Sequence, residues 1–379
     1  MAVNKAALSG SAYLSMFFLG VGSTIIGAAA GNIGLDAYHI GLLIAAQNFG
    51  FFASVVTAGA LADSVAKPRL LLAGCLLACV SFFLFYLWEP FFLNLLIMVF
   101  IGAAAGVSEG VTDAMLLDLH ERRQAFHIGV NHFAVTVGAI LITGYLVILQ
   151  MSWRRALVQS AAAVLLLAVF LAFAGTGVMR RGAGTLAERV RFLGSRRVVP
   201  GVFAAAVIFV GIEAGLTGLL TTFLLQLRQY DQVSSKVGLI LFLGGIAVGR
   251  ALFGLVARRE RIHAMLFALA AACGVFSTVV FFIHLPPLAT SIGLAALGLA
   301  VSALFPLVIT LTGLLFPRMT GTAIGVVKLG VPVGGILVPL MIGGAAKLFS
   351  FQGSLLVFPV LAAAGLGIIF LTRAGALHE

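Results

Sequence analysis

The feature that most constrains this sequence is a succession of long apolar runs, separated by short polar connections. A helix needs about 20 apolar residues to cross the hydrocarbon core of a bilayer. In lipid the backbone must satisfy its own hydrogen bonds, which favours helices for runs of this length. Twelve runs qualify, near residues 8–30, 38–62, 70–88, 91–118, 126–150, 155–179, 199–226, 234–257, 262–284, 287–316, 320–347 and 352–373. The sequence therefore predicts an all-α membrane protein with twelve transmembrane helices.

The composition excludes two other classes of protein. A mean hydropathy of +1.18 excludes a soluble protein, because no soluble fold has enough interior to hide that much apolar surface. The net charge of +11 does not indicate nucleic-acid binding, because the basic residues lie in short loops rather than on one soluble face. The apolar run that begins at Leu8 is too long for a signal sequence, so we expect an uncleaved first span.

Motifs for catalysis are absent from the sequence. It contains no phosphate-binding P-loop and no Cys/His spacing typical of a metal site. Its three cysteines all lie in apolar runs, where we interpret them as packing residues. The stretch "LDLHERRQAFH", residues 117–127, is the only candidate for enzyme chemistry at the end of a span. We predict that the protein is not an enzyme and that it needs no cofactor and no metal.

One basic stretch divides the chain into two halves. It reads "MRRGAGTLAERVRFLGSRR", residues 179–197, and separates six apolar runs from six others. Its basic and partly amphipathic character is typical of a segment on the membrane surface. We predict an N-terminal six-helix bundle over residues 1–179, a cytoplasmic linker over 180–198 and a C-terminal six-helix bundle over 199–379.

The distribution of lysine and arginine predicts the orientation. If both termini are cytoplasmic, 16 of the 23 basic residues lie in cytoplasmic segments and 5 lie in outer segments. Arg250 and Lys328 fall within spans. Because cytoplasmic loops of membrane proteins carry the excess of Lys and Arg, this bias predicts cytoplasmic termini.

Twelve spans in two halves, with a basic central loop, resemble the major facilitator superfamily. The loop after the second span reads "GALADSVAKPR", residues 59–69, and resembles the signature of that superfamily between its helices 2 and 3. The resemblance implies a structural gating role for Asp63 and Arg69. The equivalent loop in the second half, "GLVARRER" at 254–261, keeps the glycine and the arginines but lacks the acid.

Other stretches resemble the fucose:proton symporter family within that superfamily. They are "NHFAVTVGA" at 131–139, "FVGIEAGLTGLLTTFL" at 209–224, "LGGIAVGRALFG" at 243–254 and "GTAIGVVKLGVPVGGILVPLMIGG" at 321–344. The resemblance implies proton-driven uptake of sugars and related small solutes, with Glu213 at an acid of the family pattern and Arg250 in a structural ion pair. Leu219 and Phe223 stand where that family often has Trp and Tyr, which argues against a sugar ring as substrate.

The fourth run carries two acids that a purely apolar span would not contain. Glu109 and Asp113 are four residues apart, so they point the same way on a helix. Burial and mutual repulsion both favour protonation of such a pair, as a proton carrier requires. Asp113 lies at about the same depth in span 4, roughly 9 Å from the cytoplasmic end, as Asn131 and His132 in span 5. We predict proton coupling by Glu109, Asp113 and His132, in contact with a water-filled cavity.

Further polar residues inside spans are candidates for solute binding. Glu213 lies midway along span 7, where it either binds solute or bonds to a neighbouring helix. Lys328, in span 11, either extends its ammonium group to the inner interface or places it in the cavity. In the cavity it would pair with Asp113 or Glu213, or receive an anionic solute. Gln47 and Asn48 either line the cavity or bridge helices. Together the candidates for solute binding are Glu213, Lys328, Asn131, Gln47 and Asn48.

These observations favour a secondary transporter of the bacterial inner (plasma) membrane, coupled to protons and moving a small polar or anionic organic solute by alternating access. Such solutes include a sugar, a sugar acid or another carboxylate. Two alternatives remain open: an exporter of hydrophobic compounds or drugs, and a membrane sensor or scaffold that transports nothing. The expected partners are solute, protons and lipid, without nucleic acid, and we expect a monomer.

Overall fold

The computed structural model describes residues 5–61, 65–120, 124–173, 198–256, 259–316 and 320–376. Within these ranges the chain is α-helical and contains no β-strand. Twelve helical segments of the described chain are long and apolar enough to cross a membrane. The prediction of an all-α membrane protein with twelve transmembrane helices is therefore confirmed.

The first half of the described chain forms six long helices. They are α1 (Lys5–Ile33), α2 (Ala37–Leu61), α3 (Lys67–Leu84), α4 (Phe91–Leu119), α5 (Gln124–Ile148) and α6 (Trp153–Phe173). The third helix begins and ends a few residues earlier than the apolar run at 70–88 predicts. Pro68 lies in its first turn, where a residue without an amide hydrogen is tolerated.

The described part of the second half forms nine helices and one short turn of 3-10 helix. They are α7 (Val198–Gln226), α8 (Gln232–Val256), a 3-10 turn (Arg259–Arg261), α9 (Ile262–Phe282), α10 (Pro287–Ser302), α11 (Leu304–Leu315), α12 (Thr320–Lys328), α13 (Gly330–Leu348), α14 (Phe351–Ser354) and α15 (Val357–Ala376). Three pairs, α10 with α11, α12 with α13 and α14 with α15, each make up one span. The six spans predicted for this half are thus present as interrupted or continuous helices.

Contacts divide the chain into two compact units. One comprises Met1–Leu35 with Leu42–Ala183, and the other comprises Asp36–Gly41 with Gly184–Glu379. The predicted linker, 180–198, lies outside the described residues except for Val198, the first residue of α7. The linker and its bounds stay a prediction.

Close packing of α1 against α5 holds the first unit together. A Cβ on Gly20 would lie 2.0 Å from the Val135 carbonyl oxygen, and one on Gly138 would lie 2.0 Å from that of Phe17. Neither position can therefore carry a side chain without moving a helix. Small residues at such crossings let membrane helices gain packing contact where the hydrophobic effect between helices is weak. This unit also packs α3 against α4 and α6, and α1 against α4.

The second unit packs α7 against α13 and α15, α8 against α10, and α9 against α15. Prolines explain two of its helix interruptions. Pro306 lies four residues after Ser302, and Pro332 lies four residues after Lys328. Neither proline has an amide hydrogen for the carbonyl four residues back, so each span breaks at that point, at Ala303 and at Leu329.

Arginines close the C-terminal ends of one helix in each unit. Arg154 donates to the carbonyl oxygen of Phe83 at 2.5 Å and more weakly to that of Phe82, at the end of α3. Arg228 donates to the carbonyl oxygens of Val280 at 2.7 Å and Ile283 at 2.5 Å, at the end of α9. The last carbonyls of a helix lack helical partners and carry partial negative charge, so a cation there stabilises the helix end.

Candidate functional site

The acids of span 4 lie on one face of α4 in the first unit. Glu109 and Asp113 are one helical turn apart and both are half-buried. The Asp113 side chain keeps 19 % of its surface exposed. An ionised carboxylate at membrane depth is costly, at least about 2.5–3.5 kcal/mol at a helix centre, so these groups need polar neighbours or water.

Two residues of α5 supply polar neighbours for Asp113. Asn131 donates from its Nδ2 to Asp113 Oδ1 at 2.9 Å. His132 places its Nε2 3.1 Å from Asp113 Oδ2. The same Asn131 nitrogen also donates to Thr112 Oγ1 at 2.9 Å. The structure therefore brings together Asp113, Asn131 and His132, which the sequence predicted to lie at the same depth in two separate spans. Their roles in proton coupling and solute binding stay a prediction.

Glu109 completes this group of ionisable residues, which we call the α4–α5 cluster (Glu109, Asp113, His132). One ligand-type atom of each residue lies within 4.8 Å of those of the other two. Two ionised carboxylates at such a separation repel each other, and a proton or a cation between them removes the repulsion.

In the second unit, Glu213 on α7 forms an ion pair with Arg250 on α8. Arg250 Nη2 donates to Glu213 Oε1 at 2.7 Å, and the side chains keep 34 % and 25 % of their surface exposed for Arg250 and Glu213 respectively. Arg250 Nε also points to the carbonyl oxygen of Ser302 at 3.5 Å. Since Pro306 leaves that carbonyl without its helical donor, Arg250 partly replaces it. The sequence left two options for Glu213, solute binding or a bond to a neighbouring helix. The structure contains the bond to a neighbouring helix.

The other candidate residues for solute binding differ in their surroundings. Gln47 is buried and donates from Nε2 to the Gly22 carbonyl oxygen at 2.8 Å, so it bridges α2 to α1. Asn48 is half-buried and bonds to the Ile44 carbonyl of its own helix at 2.9 Å. Lys328 is half-buried and is the last residue of α12, directly before the break in span 11. Whether its ammonium group extends to the interface or meets solute stays a prediction.

The positions that argue against a sugar lie in the interior of the second unit. Leu219 and Phe223 are each only 1 % exposed. Phe223 packs edge-on against Phe281, with ring centroids 4.8 Å apart, and lies under the Arg228 guanidinium. Because both residues pack inside the helix bundle, their identity does not decide between sugars and other solutes.

The predicted gating residues are only partly described. Asp63 lies outside the described residues, and Arg69 is exposed in the first turn of α3. An ion pair joins the same loop region to α4 instead: Lys67 Nζ lies 2.8 Å from Asp118 Oδ2. This pair was not singled out from the sequence. The sequence does hold one indication of this ion pair: Lys67 and Asp118 both lie near the predicted cytoplasmic ends of their helices.

A histidine pair that the sequence did not single out lies at the same end of the first unit. The rings of His120 and His127 stack with centroids 3.6 Å apart. Ser9 Oγ bonds to His120 Nε2 at 2.7 Å, and the Tyr13 hydroxyl bonds to His127 Nδ1 at 2.5 Å. Burial, followed by the nearby charges of His127 and Lys5, lowers the pKa of His120 below its usual value. His120 therefore favours its neutral ring.

Comparison with known proteins places this architecture among transporters. A family model described as "Major Facilitator Superfamily" matches residues 9–294. No curated protein sequence matches the chain significantly. The structural comparison therefore rests on solved structures.

Three solved structures resemble the chain over almost its whole length. A bacterial homolog of the human lysosomal transporter Spinster, inward-facing and unoccupied, has a TM-score of 0.81 and 15 % identity over 99 % of this chain and 98 % of that chain. The nucleoside transporter NupG has a TM-score of 0.80 and 14 % identity over 98 % and 99 %. A D-xylose-proton symporter has a TM-score of 0.77 and 13 % identity over 96 % and 97 %. At such low identity these likenesses show the fold, and the fucose:proton symporter family is not among them.

Proposed function

Because the chain belongs to the Major Facilitator Superfamily, we propose that it is a secondary active transporter coupled to protons. It moves a small polar or anionic organic solute, such as a sugar, a sugar acid or another carboxylate, across the bacterial inner (plasma) membrane by alternating access. The solved structures that share its fold include a nucleoside transporter and a xylose-proton symporter. The proton gradient is the energy source, no cofactor takes part, and the monomer is the working unit.

The observation that carries the proposal is the contact of Asp113 with His132 and Asn131 in the α4–α5 cluster. The Asp113 carboxylate accepts a hydrogen bond from Asn131 and faces His132 at 3.1 Å, on helices that cross the membrane. A half-buried acid with an imidazole beside it can take up and release a proton without large movement of either helix.

The charge of the cluster supplies the coupling. When the carboxylates are ionised, the cluster needs water around it, because an ionised acid in an apolar surrounding is costly. When a proton neutralises Asp113 or Glu109, the same residues tolerate a drier surrounding. A conformation that excludes water from the cluster is thus accessible after protonation, which links proton uptake to the conformational change.

We further propose that the anionic part of the solute meets Lys328. This residue ends α12, beside the break in span 11, and Gly325 one turn before it has open space where a side chain would be. Glu213 is engaged by Arg250, so its part in binding is to hold Arg250 in place. Both termini and the 180–198 linker are cytoplasmic, in line with the charge distribution along the sequence.

The test is transport into proteoliposomes under an imposed proton gradient, with a panel of labelled hexoses, sugar acids and short carboxylates. Asp113→Asn removes the titratable group with little change in size. We expect gradient-driven accumulation to fall to the level of empty vesicles, while exchange of internal for external solute continues, because exchange needs no net proton movement.

A matched control is Glu89→Gln, which removes one carboxylate from the exposed connection before α4. This variant should accumulate solute as the original protein does. Full accumulation by Asp113→Asn would remove Asp113 from the coupling mechanism. Absence of transport of any solute by the original protein, despite intact folding, would favour a sensor or scaffold.

A further inference from the structure

The α4–α5 cluster has the donor set of a metal site as well as that of a proton site. Glu109, Asp113 and His132 each offer one ligand atom, and these atoms lie within 4.8 Å of one another. Two of them, His132 Nε2 and Asp113 Oδ2, are already 3.1 Å apart. This combination of one imidazole and two carboxylates is found at one place in the part of the chain that the structure describes.

The spacing is close to what a small four-coordinate cation requires. Zinc binds imidazole nitrogen and carboxylate oxygen at about 2.0–2.2 Å, so neighbouring ligand atoms of a tetrahedral site lie about 3.3–3.5 Å apart. The distance of 3.1 Å between His132 Nε2 and Asp113 Oδ2 is close to this ligand-to-ligand distance, so these two side chains need to move very little. The Glu109 side chain has to approach by about 1.5 Å at most, which rotation about its own side-chain bonds supplies.

The charge and the type of donor select the class of cation. Two carboxylates and one imidazole offer oxygen and nitrogen donors that suit a divalent cation. An imidazole ligand favours Zn²⁺ and similar transition metals over Mg²⁺ and Ca²⁺, which prefer oxygen ligands alone. All three residues are half-buried, so the site is sheltered and still open to entry.

Asn131 provides an independent observation at the same place. The residue is fully buried, and its Oδ1 has no hydrogen-bond partner. The other end of the same amide donates to Asp113 Oδ1 at 2.9 Å, which holds the amide against the cluster. An unsatisfied buried carbonyl costs about 1–3 kcal/mol. The amide also orients Asp113, as outer-shell partners of metal ligands do.

We propose that Glu109, Asp113 and His132 bind one divalent transition-metal cation of the Zn²⁺ type, with Asn131 holding Asp113 in position. The bound cation occupies the same oxygen and nitrogen atoms as the coupling proton, so it blocks proton-driven transport. Binding itself is measured on purified protein and is independent of any transport by the chain.

The experiment uses the full chain, purified without an affinity tag in detergent at pH 7. Zn²⁺ binding is followed by titration calorimetry, and Co²⁺ binding by the visible absorption that distinguishes four-coordinate from six-coordinate cobalt. We expect one tight Zn²⁺ per chain and four-coordinate Co²⁺. Asp113→Asn and His132→Gln should each weaken Zn²⁺ binding by about 100-fold or more, since each removes a direct ligand.

The matched control is His39→Gln, because His39 lies 2.7 Å from Asp36 in an exposed pair that lacks a third ligand in the described chain. Its Zn²⁺ affinity should stay within about two-fold of that of the original protein. If Asp113→Asn does not fold, Glu109→Gln and His132→Gln decide the question together.

Two results would overturn the proposal. One is Zn²⁺ binding by His132→Gln at the original affinity. The other is loss of the bound Zn²⁺ in His39→Gln, which would place the ion on the surface. Loss of tight binding in the cluster variants alone supports the site, whether or not the protein proves to transport a solute in proteoliposomes.

Discussion

The ion pair between Arg250 and Glu213 should contribute measurably to the stability of the second unit. At an N–O distance of 2.7 Å and an effective dielectric constant near 20, two unit charges attract by about 6 kcal/mol. The side chains keep 34 % and 25 % of their surface exposed, so water screens part of this attraction. We expect Arg250→Met to cost about 1–3 kcal/mol, below the 3–5 kcal/mol typical of a fully buried pair.

The stability of this unit can be read from a single thiol. Cys273 lies in α9 and is fully buried, whereas Cys75 and Cys79 lie in α3 of the first unit. With Cys75 and Cys79 replaced by Ala, a thiol-reactive dye reports exposure of Cys273 on heating. The expected loss corresponds to a Tm lower by about 3–10 °C for a unit of this size.

A double-mutant cycle separates the pair from other effects of the substitution. Glu213→Gln added to Arg250→Met should restore part of the loss, because the stranded carboxylate is then removed, with a coupling energy of about 1–2 kcal/mol. Arg261→Met, which removes an exposed arginine before α9, is the control and should leave Tm unchanged. Purely additive effects of the two substitutions would refute a stabilising role for the pair.

Three other predictions concern packing, pH and solute binding. Gly138→Leu should prevent folding of the first unit, because its Cβ would lie 2.0 Å from the Phe17 carbonyl oxygen, whereas Gly244→Ala meets no atom within 4 Å and should be tolerated; yield and gel filtration compare the two. The lowered pKa of His120 means that the folded protein prefers the neutral ring, so this contribution to stability is present above pH 6.5 and is lost as the pH falls through the lowered value. Thermal unfolding between pH 7 and 5 should show this loss, and His120→Gln should reduce it; equal acid sensitivity in both proteins would contradict the assignment. Lys328→Met should weaken binding of an anionic solute by much more than about ten-fold at unchanged protein abundance, and normal binding would mean that the ammonium group extends to the interface.

Hydropathy and helical depth predicted the parts of this structure that depend on one helix at a time. The twelve spans follow from the length of each apolar run. The meeting of Asp113 with Asn131 and His132 follows from equal depth in consecutive helices joined by a short connection. Such neighbours in sequence are neighbours in space more often than not.

The contacts that the sequence left open or did not single out involve long side chains or helices distant in sequence. Measured from the end at which α7 leads into α8, Arg250 lies about five residues, roughly 7–8 Å, further along its helix than Glu213 does, and the reach of arginine covers that difference. Depth alone therefore left the role of Glu213 open. The stack of His120 on His127 depends on how α4, α5 and α1 meet at one end, which no periodicity within a single helix contains.

The interruption of span 11 has a mechanical consequence for Lys328. On the C-terminal side of the break, α13 is held against α7, since a Cβ on Gly334 would lie 2.1 Å from the Val207 carbonyl oxygen. Lys328 belongs to the other side, at the end of α12, and Pro332 removes the hydrogen bond that would stiffen the junction. Bending at Leu329 can therefore shift the ammonium group while the contact of α13 with α7 stays in register. Leu329 is therefore the position in span 11 at which a bend would move the Lys328 ammonium group relative to α13.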